Sequence, residues 1–229
     1  MIIDRMNSIG SRFMRFGYRR IHVMLEREGI HINHKRAFRL YKEAGLILKR
    51  RKKKYRYEKR GKPERAESTP NSRWSMDFVS DVTRTGKRLK IFTLIDESTR
   101  ECLTLEVDTS ITGERVAAYL NKVALFRGLP KEILTDNGPE FISNALNAWA
   151  YDKKVSHVFT DPGCPTQNGY IESFNGKLRD ECLNQHMFRN IFEARGIISD
   201  WKDEYNNLRP HSSLKNMTPK EYAMSLIQV

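Results

Sequence analysis

Leu134-Thr135-Asp136-Asn137-Gly138-Pro139-Glu140-Phe141 follows directly on the short apolar run Glu132–Leu134. An Asn-Gly pair after an apolar run is a hairpin signal. The residues beyond it lack strand alternation, however, and Glu140–Tyr151 has helical character. The stretch therefore predicts a strand-to-helix turn, the place where α/β sheets commonly hold their ligands. Working outward, Trp74–Val82, Leu89–Ile95 and Cys102–Val107 are expected as three successive strands, followed by an amphipathic helix over Gly113–Arg127. Beyond the turn, Val155–Phe159 is expected as a strand and Gln167–Asn184 as a long helix. Three strands and then α, β, α, β, α indicate a mixed α/β sheet covered by helices.

Two further carboxylates stand out against that frame. Asp77 lies within Trp74-Ser75-Met76-Asp77-Phe78-Val79, in the expected central strand, where Asp is depleted. Its alternative reading is an exposed residue on the polar face of an amphipathic strand. Glu172 lies on the helix that starts near Gln167, and Arg179, seven residues later, returns to the same face. Two strand carboxylates and one helix carboxylate make an all-oxygen set suited to Mg²⁺ or Mn²⁺. Two such ions, about 3.5–4 Å apart, can activate water or a 3′-hydroxyl and stabilise a leaving phosphodiester oxygen. Tyr170 is better read as a packing residue than as a nucleophile.

The rest of the chain supplies charge. Of the net +13, residues 1–70 carry +14, from 21 Lys and Arg against 7 Asp and Glu, and the remainder carries −1. Such a lopsided excess fits a polyanion, because Lys and Arg release counterions from phosphates. Two short helices, about Tyr18 to Glu28 and His34 to Ala44, are joined by Gly29 and capped by Asn33, with Gly45 as the stop. A basic second helix after a short turn suits a helix-turn-helix DNA reader, with a solvated helical hairpin as the alternative. Its candidate contacts are Arg19, Arg20, Lys35, Arg36 and Arg39, extended by the run Arg50, Arg51, Lys52, Lys53 and Lys54. The expected divisions are 1–50 for this segment, 51–72 for a basic linker, 73–187 for the catalytic core and 188–229 for a helical extension broken at Pro210.

No apolar run approaches the roughly 18 residues of a membrane span, and the first twenty residues do not resemble a signal peptide. A soluble intracellular protein is expected. Cys102, Cys164 and Cys182 form no C-x-x-C pair, so neither a disulfide framework nor a thiolate zinc site is signalled.

Taken together, these motifs resemble a known family. Asp77, Asp136 and Glu172, with 35 residues between the last two, are similar to the Asp-Asp-35-Glu signature of retroviral-integrase-like transposases. The opening phrase and Gln167-Asn168-Gly169-Tyr170-Ile171-Glu172-Ser173-Phe174-Asn175-Gly176-Lys177-Leu178-Arg179 resemble, more narrowly, the second-frame product of bacterial insertion sequences with two overlapping frames. So do Gly17–His22, Asn33–Arg36 and Tyr205–Leu214 followed by Thr218-Pro219. The resemblance implies an RNase H-like integrase core with a five-stranded mixed sheet and helices on both faces. It implies Mg²⁺-dependent cutting of element ends and joining of 3′-hydroxyls to target DNA, with Asp77, Asp136 and Glu172 as ligands of two ions. Asn137 and Gly138 would shape the turn, and Gln167, Asn168, Asn175, Lys177 and Arg179 would lie near the DNA end. The partners implied are double-stranded DNA, further copies of the chain, and the upstream-frame product or a frameshift fusion with it. The place implied is the bacterial cytoplasm at the nucleoid. The zinc-binding His-His-Cys-Cys module of retroviral integrases is not matched, because His31 and His34 have no accompanying C-x-x-C. Two other functions compete: a transposase-derived DNA-binding protein without chemistry, and an RNase H-type nuclease without joining activity.

Overall fold

The computed structural model describes residues 1–48, 69–161 and 167–227. The run Arg50–Lys54 and most of the expected linker lie outside them. The chain divides into two compact units. The smaller takes in the N-terminal helices together with Arg209–Met217, and the larger takes in the sheet and the remaining helices.

The smaller unit contains α1 (Ile2–Arg12), α2 (Tyr18–Arg27) and α3 (His34–Glu43). The two expected helices are there, with Asn33 accepting the Lys35 N–H at 2.8 Å as the N-cap of α3. Gly29 and Gly45 end the helices at φ +79° and +69°, a conformation that suits glycine. Helix α1 was not foreseen. Its apolar residues Met6 and Ile9 close a core with Phe16, Ile21, Leu25, Ala37 and Tyr41. Arg5 forks onto both oxygens of Glu28 at 2.5 Å, fastening α1 to the end of α2.

The larger unit is built on a five-stranded sheet in the order β3-β2-β1-β4-β5. Its strands are β1 (Arg73–Val82), β2 (Arg88–Asp96), β3 (Cys102–Asp108), β4 (Glu132–Thr135) and β5 (Ser156–Phe159). The first three form an antiparallel meander, while β4 and β5 run parallel to β1. This is the expected mixed sheet. The alternation of side chains along β1 serves two cores. Val79 joins Ile91 and Ile95 against α6 (Gly169–Glu181) and α7 (Ile191–Asn207), where Phe174, Trp201 and Tyr205 cluster. Trp74 and Met76 face the opposite side with Phe92 and Leu94, covered by α4 (Gly113–Arg127) and α5 (Asn144–Lys153). Helix α8 (Pro219–Ile227) packs against α7.

Two boundaries differ from the sequence reading by three residues or more, each for a local reason. Helix α5 starts at Asn144 rather than Glu140, because Ser143 caps it through the Leu146 N–H and Phe141 is spent as a core anchor. Helix α6 ends at Glu181, and a short 3₁₀ turn over Leu183–Gln185 follows. At the free edge of β3, the Asn206 side chain accepts from the Cys102 N–H and donates to its carbonyl, at 2.9 and 2.8 Å. Arg195 donates to the carbonyl of Val107 at 2.8 Å.

Gly113 lets the start of α4 meet the turn ahead of α5. A Cβ there would lie 1.9 Å from Ser143 Oγ and 3.0 Å from the carbonyl of Glu140. Gly196, within α7, has open space around the same position. Gly113→Ala should therefore destabilise the protein by about 1–3 kcal/mol through overpacking. Gly196→Ala should stabilise it by about 0.5–1 kcal/mol, since an exposed helical glycine only costs entropy. Urea melts of the two variants check both signs.

Candidate active site

The sheet register brings the first two carboxylates together. Strands β1 and β4 pair Arg73 with Glu132, Trp74 with Ile133 and Ser75 with Leu134. Extended by two residues, the same register sets Asp77 beside Asp136, on strands spaced by about 4.8 Å. Asp136 leaves the carboxyl end of β4 and accepts the Gly138 N–H at 2.9 Å. A Cβ on Gly138 would press within 2.9 Å of that same carboxylate oxygen, so any larger residue there would displace the Asp136 carboxylate. Asn137 donates its amide to the carbonyl of Thr160 at 3.0 Å, tying the turn to the end of β5. Both residues shape the turn as expected.

Helix α6 supplies the third carboxylate. Asn175, one turn beyond Glu172, donates to Asp77 Oδ2 at 2.8 Å and so pins the helix to β1. Glu172 is exposed, and its carboxylate makes no hydrogen bond or ion pair among the described residues. The other Asp77 oxygen accepts its neighbour's Phe78 N–H at 2.7 Å. Burial pushes the Asp77 carboxyl up to about 6, and the nearby charges of Asp136 and Glu172 add to the rise. Two hydrogen bonds, from Phe78 and Asn175, oppose it. Among the described residues no cationic side chain pairs with Asp77. The contrast is Glu97, a fully buried carboxylate at the other end of β1, which takes the Ser75 hydroxyl and has Arg73 nearby. The three site carboxylates thus share a negative locus without a basic partner among the described residues. They do not form a closed ligand cluster among the described residues.

A second layer holds this arrangement. Lys90 of β2 pairs with Glu140 of the turn and lies 4.2 Å from the centre of the Phe78 ring. Phe78 in turn stacks on Phe141 at 5.1 Å. The residue after Asp77 is thereby joined to the turn that carries Asp136. Sequence reasoning missed Lys90 and Glu140, since nothing in their spacing signals a contact 50 positions apart. It placed Asn175 near the DNA end but missed its bond to Asp77. The signal was available, because three residues after Glu172 is a neighbouring position on one helix face.

The other candidates are scattered differently. Arg179 donates to the carbonyl of Ser80 at 2.8 Å and is exposed. Lys177 folds back onto Ser173. Gln167 exchanges two hydrogen bonds of 2.7 Å with Asp161. Asn168 is buried, and neither its Oδ1 nor that of Asn175 has a hydrogen-bond partner among the described residues. Tyr170 is half-buried beneath Arg100, whose guanidinium lies 3.7 Å from the ring centre. It packs, as expected. In the smaller unit, Lys35, Arg36 and Arg39 lie exposed on α3, Arg19 is exposed on α2, and Arg20 is half-buried over Phe16.

Comparison with known proteins agrees with this geometry. Residues 67–165 and 153–219 each match an integrase core domain family, and residues 3–54 match an HTH-like domain. The chain is 47% identical over 223 residues to an uncharacterized 31.7 kDa protein of insertion element IS407 from Burkholderia multivorans, covering 97% of this chain and 80% of that protein. It is 45% identical to a 39.2 kDa protein of IS476 from Xanthomonas euvesicatoria, of whose length it spans 63%. A transposase of insertion element IS2 from Escherichia coli, InsD, is 26% identical, with 96% and 77% covered. Among solved structures, the catalytic core of HTLV-2 integrase in complex with magnesium superposes with a TM-score of 0.56 at 20% identity, over 68% of this chain and 97% of that one.

The raised Asp77 carboxyl has a consequence for stability. The folded chain keeps a proton that the unfolded chain releases near its ordinary value of 3.8, so stability falls as pH rises from about 4 to about 6. Asp77→Asn removes that cost; its oxygen still accepts the Phe78 N–H, and its NH2 can donate to Oδ1 of Asn175 once that amide turns over. In metal-free buffer at pH 7.5 it should stabilise the protein by about 1–2 kcal/mol, after allowance for partial exposure. The gain should vanish below about pH 4. Urea melts in EDTA at the two pH values measure it.

Proposed function

The chain belongs to the insertion-element transposases built on an integrase core domain, and we propose that it cuts and joins DNA strands with Asp77, Asp136 and Glu172 as its metal-binding carboxylates. The observation that carries this reading is the β1–β4 register, which sets Asp77 beside Asp136 while Asn175 draws the helix of Glu172 onto β1. Two Mg²⁺ or Mn²⁺ ions, when bound, would supply the charge that activates a water or 3′-hydroxyl and neutralises the leaving oxygen.

The donor set fits such ions. All three side chains offer hard oxygen ligands, and a cation would remove the mutual repulsion that raises Asp77. Phe78 and Asn175 each donate to one Asp77 oxygen and so fix the orientation of its carboxylate. The turn held by Gly138, Asn137 and the Lys90–Glu140 pair fixes Asp136. Both strand ligands are therefore placed before metal arrives, and the exposed Glu172 is free to complete the set. Arg179 lies about 10 Å further along α6 on the same face, which suits it to hold a phosphate of the terminal strand.

The substrates in this reading are double-stranded element ends and a target duplex. The exposed basic residues of α2 and α3 (Arg19, Lys35, Arg36 and Arg39), with Arg20, bind DNA, as does the run Arg50–Lys54. Joining two ends to one target calls for more than one active site, so the chain works as a homo-oligomer on DNA. It acts with the upstream-frame product or as part of a fusion with it, in the bacterial cytoplasm at the nucleoid. No described helix is long and apolar enough to cross a membrane.

Asp136→Asn should reduce nicking of an end duplex by at least about a hundredfold in Mg²⁺, a loss typical when electrostatic stabilisation of the reacting centre is removed. Its affinity for the duplex should stay within a few-fold. Near wild-type nicking would refute the carboxylate assignment. Arg179→Ala should raise the DNA concentration needed for half-maximal nicking, and Arg179→Lys should recover part of that loss as a point charge without the guanidinium fork. A lower rate at saturation with unchanged half-saturation would refute positioning.

A further inference from the structure

The turn between β1 and β2 lies at the same end of the sheet as the carboxylates, because Asp136 leaves β4 where the parallel β1 runs on toward that turn. Its five residues, Thr83-Arg84-Thr85-Gly86-Lys87, and Arg88, which opens β2, include three cations and no acid. Arg84, Lys87 and Arg88 are all exposed, and their side chains engage no partner among the described residues. Asp81, the nearest acid along β1, instead takes the N–H of Val82 at 2.7 Å.

The turn is also stiff. Thr83 is buried and pairs with Lys87 through N–H to carbonyl at 2.9 Å, while its hydroxyl accepts the Lys87 N–H at 3.1 Å. The Gly86 N–H closes onto the Thr83 carbonyl, and the Arg84 N–H donates to the carbonyl of the buried Phe188 at 2.7 Å. Three unpaired cations are therefore displayed on a fixed frame, with backbone ordering already met by the fold.

The distances form a line. Asn175 touches Asp77 and Arg179 touches Ser80, so α6 and β1 advance together away from the carboxylates. From Asp77 to Ser80 is three strand residues, about 10 Å, and from Asn175 to Arg179 is four helix residues, about 6 Å. From Asp77 to Val82, the register partner of Arg88, is about 17 Å. A strand of duplex DNA advances about 3.4 Å per nucleotide. We propose that the β1–β2 turn is a phosphate-backbone contact for duplex DNA, gripping it through Arg84, Lys87 and Arg88 about five base pairs from the phosphodiester at the carboxylates. The placement relative to the reacting bond rests on the transposase reading above; the affinity of the turn for duplex does not.

The test uses the full chain. Affinity for a 30-base-pair duplex of mixed sequence is measured in EDTA across a salt series for the wild type, R84A/K87A/R88A, R84K/R88K and K122A/K202A/K220A. The last alters cations on α4, α7 and α8, away from the turn. The first triple variant should bind at least about tenfold more weakly near 0.15 M salt, with a log K against log [salt] slope shallower by about 2–3, since each phosphate contact is worth about 0.9. R84K/R88K, which keeps the charge, should retain the wild-type slope, and so should the distant triple variant. An unchanged slope for R84A/K87A/R88A, or an equal loss in the distant variant, would overturn the proposal.

Ethylation interference on a duplex carrying the element end, with the nick position mapped, tests the spacing. Interference from phosphates about five base pairs from the nick should disappear in the triple variant, and its persistence there overturns the placement. Loss confined to capture of a second labelled duplex by an end-bound complex would assign the turn to target DNA; loss with the end duplex alone would assign it to the element end. A wild type that fails to nick in Mg²⁺ or Mn²⁺ counts against the catalytic reading, whereas the salt series still decides the contact.

Discussion

The parallel pairing of β1 with β4 is the constraint on which the rest of the larger unit depends. It joins a strand from the antiparallel meander to one reached only after a 15-residue helix, and it has a single register. A slip of one residue would turn Trp74 and Met76 out of one core and Val79 out of the other, because the side-chain period along a strand is two. The packing on both faces therefore enforces the register, and the register enforces the meeting of Asp77 with Asp136. Two carboxylates that repel one another are held together by the apolar packing on the two faces of the sheet.

That division of labour explains the supporting residues. Among the described residues nothing basic pairs with Asp77, and its position is secured by hydrogen bonds and by rings. Asn175 bonds Asp77 across from α6, and the Phe78–Phe141 stack with Lys90 and Glu140 secures the turn from the other face. The one ion pair of this layer is spent on the scaffold around the acids, not on the acids themselves. A cationic partner at Asp77 would compete with a metal, and this arrangement leaves that role open.

Much of this could be read in the sequence, and the reasons for the exceptions are physical. The strands and helices were legible because their apolar periods are strong and their stops are explicit, as at Asn33 and Gly45. Asp77 and Asp136 were conspicuous as acids inside or just after apolar runs. What escaped were tertiary facts. Helix α1 has only Asp4 in its first turn to mark its start, and it earns its place by burying Met6 and Ile9. Phe141 reads as the start of a helix and serves instead as an anchor ahead of it. The Lys90–Glu140 pair joins two sites that no local pattern connects. The role of Asn175 lay within reach, since its helical phase relative to Glu172 was already known.

The side chains of α7 along β3 have a meaning beyond packing. A bare edge strand is a template for another chain, and β3 ends the sheet on one side. Asn206 occupies both the donor and the acceptor of Cys102, imitating one rung of a missing neighbour, and Arg195 takes the carbonyl of Val107. The helix thus works as a guard against sheet growth as well as a lid over the core. During synthesis β3 emerges from the ribosome about ninety residues before this guard does, a lag set by where the two segments fall in the chain. Nascent chains on one messenger pass through that interval side by side. A chain broken off ahead of α7 stays in it permanently, with both an apolar face and an unpaired strand on offer to its neighbours.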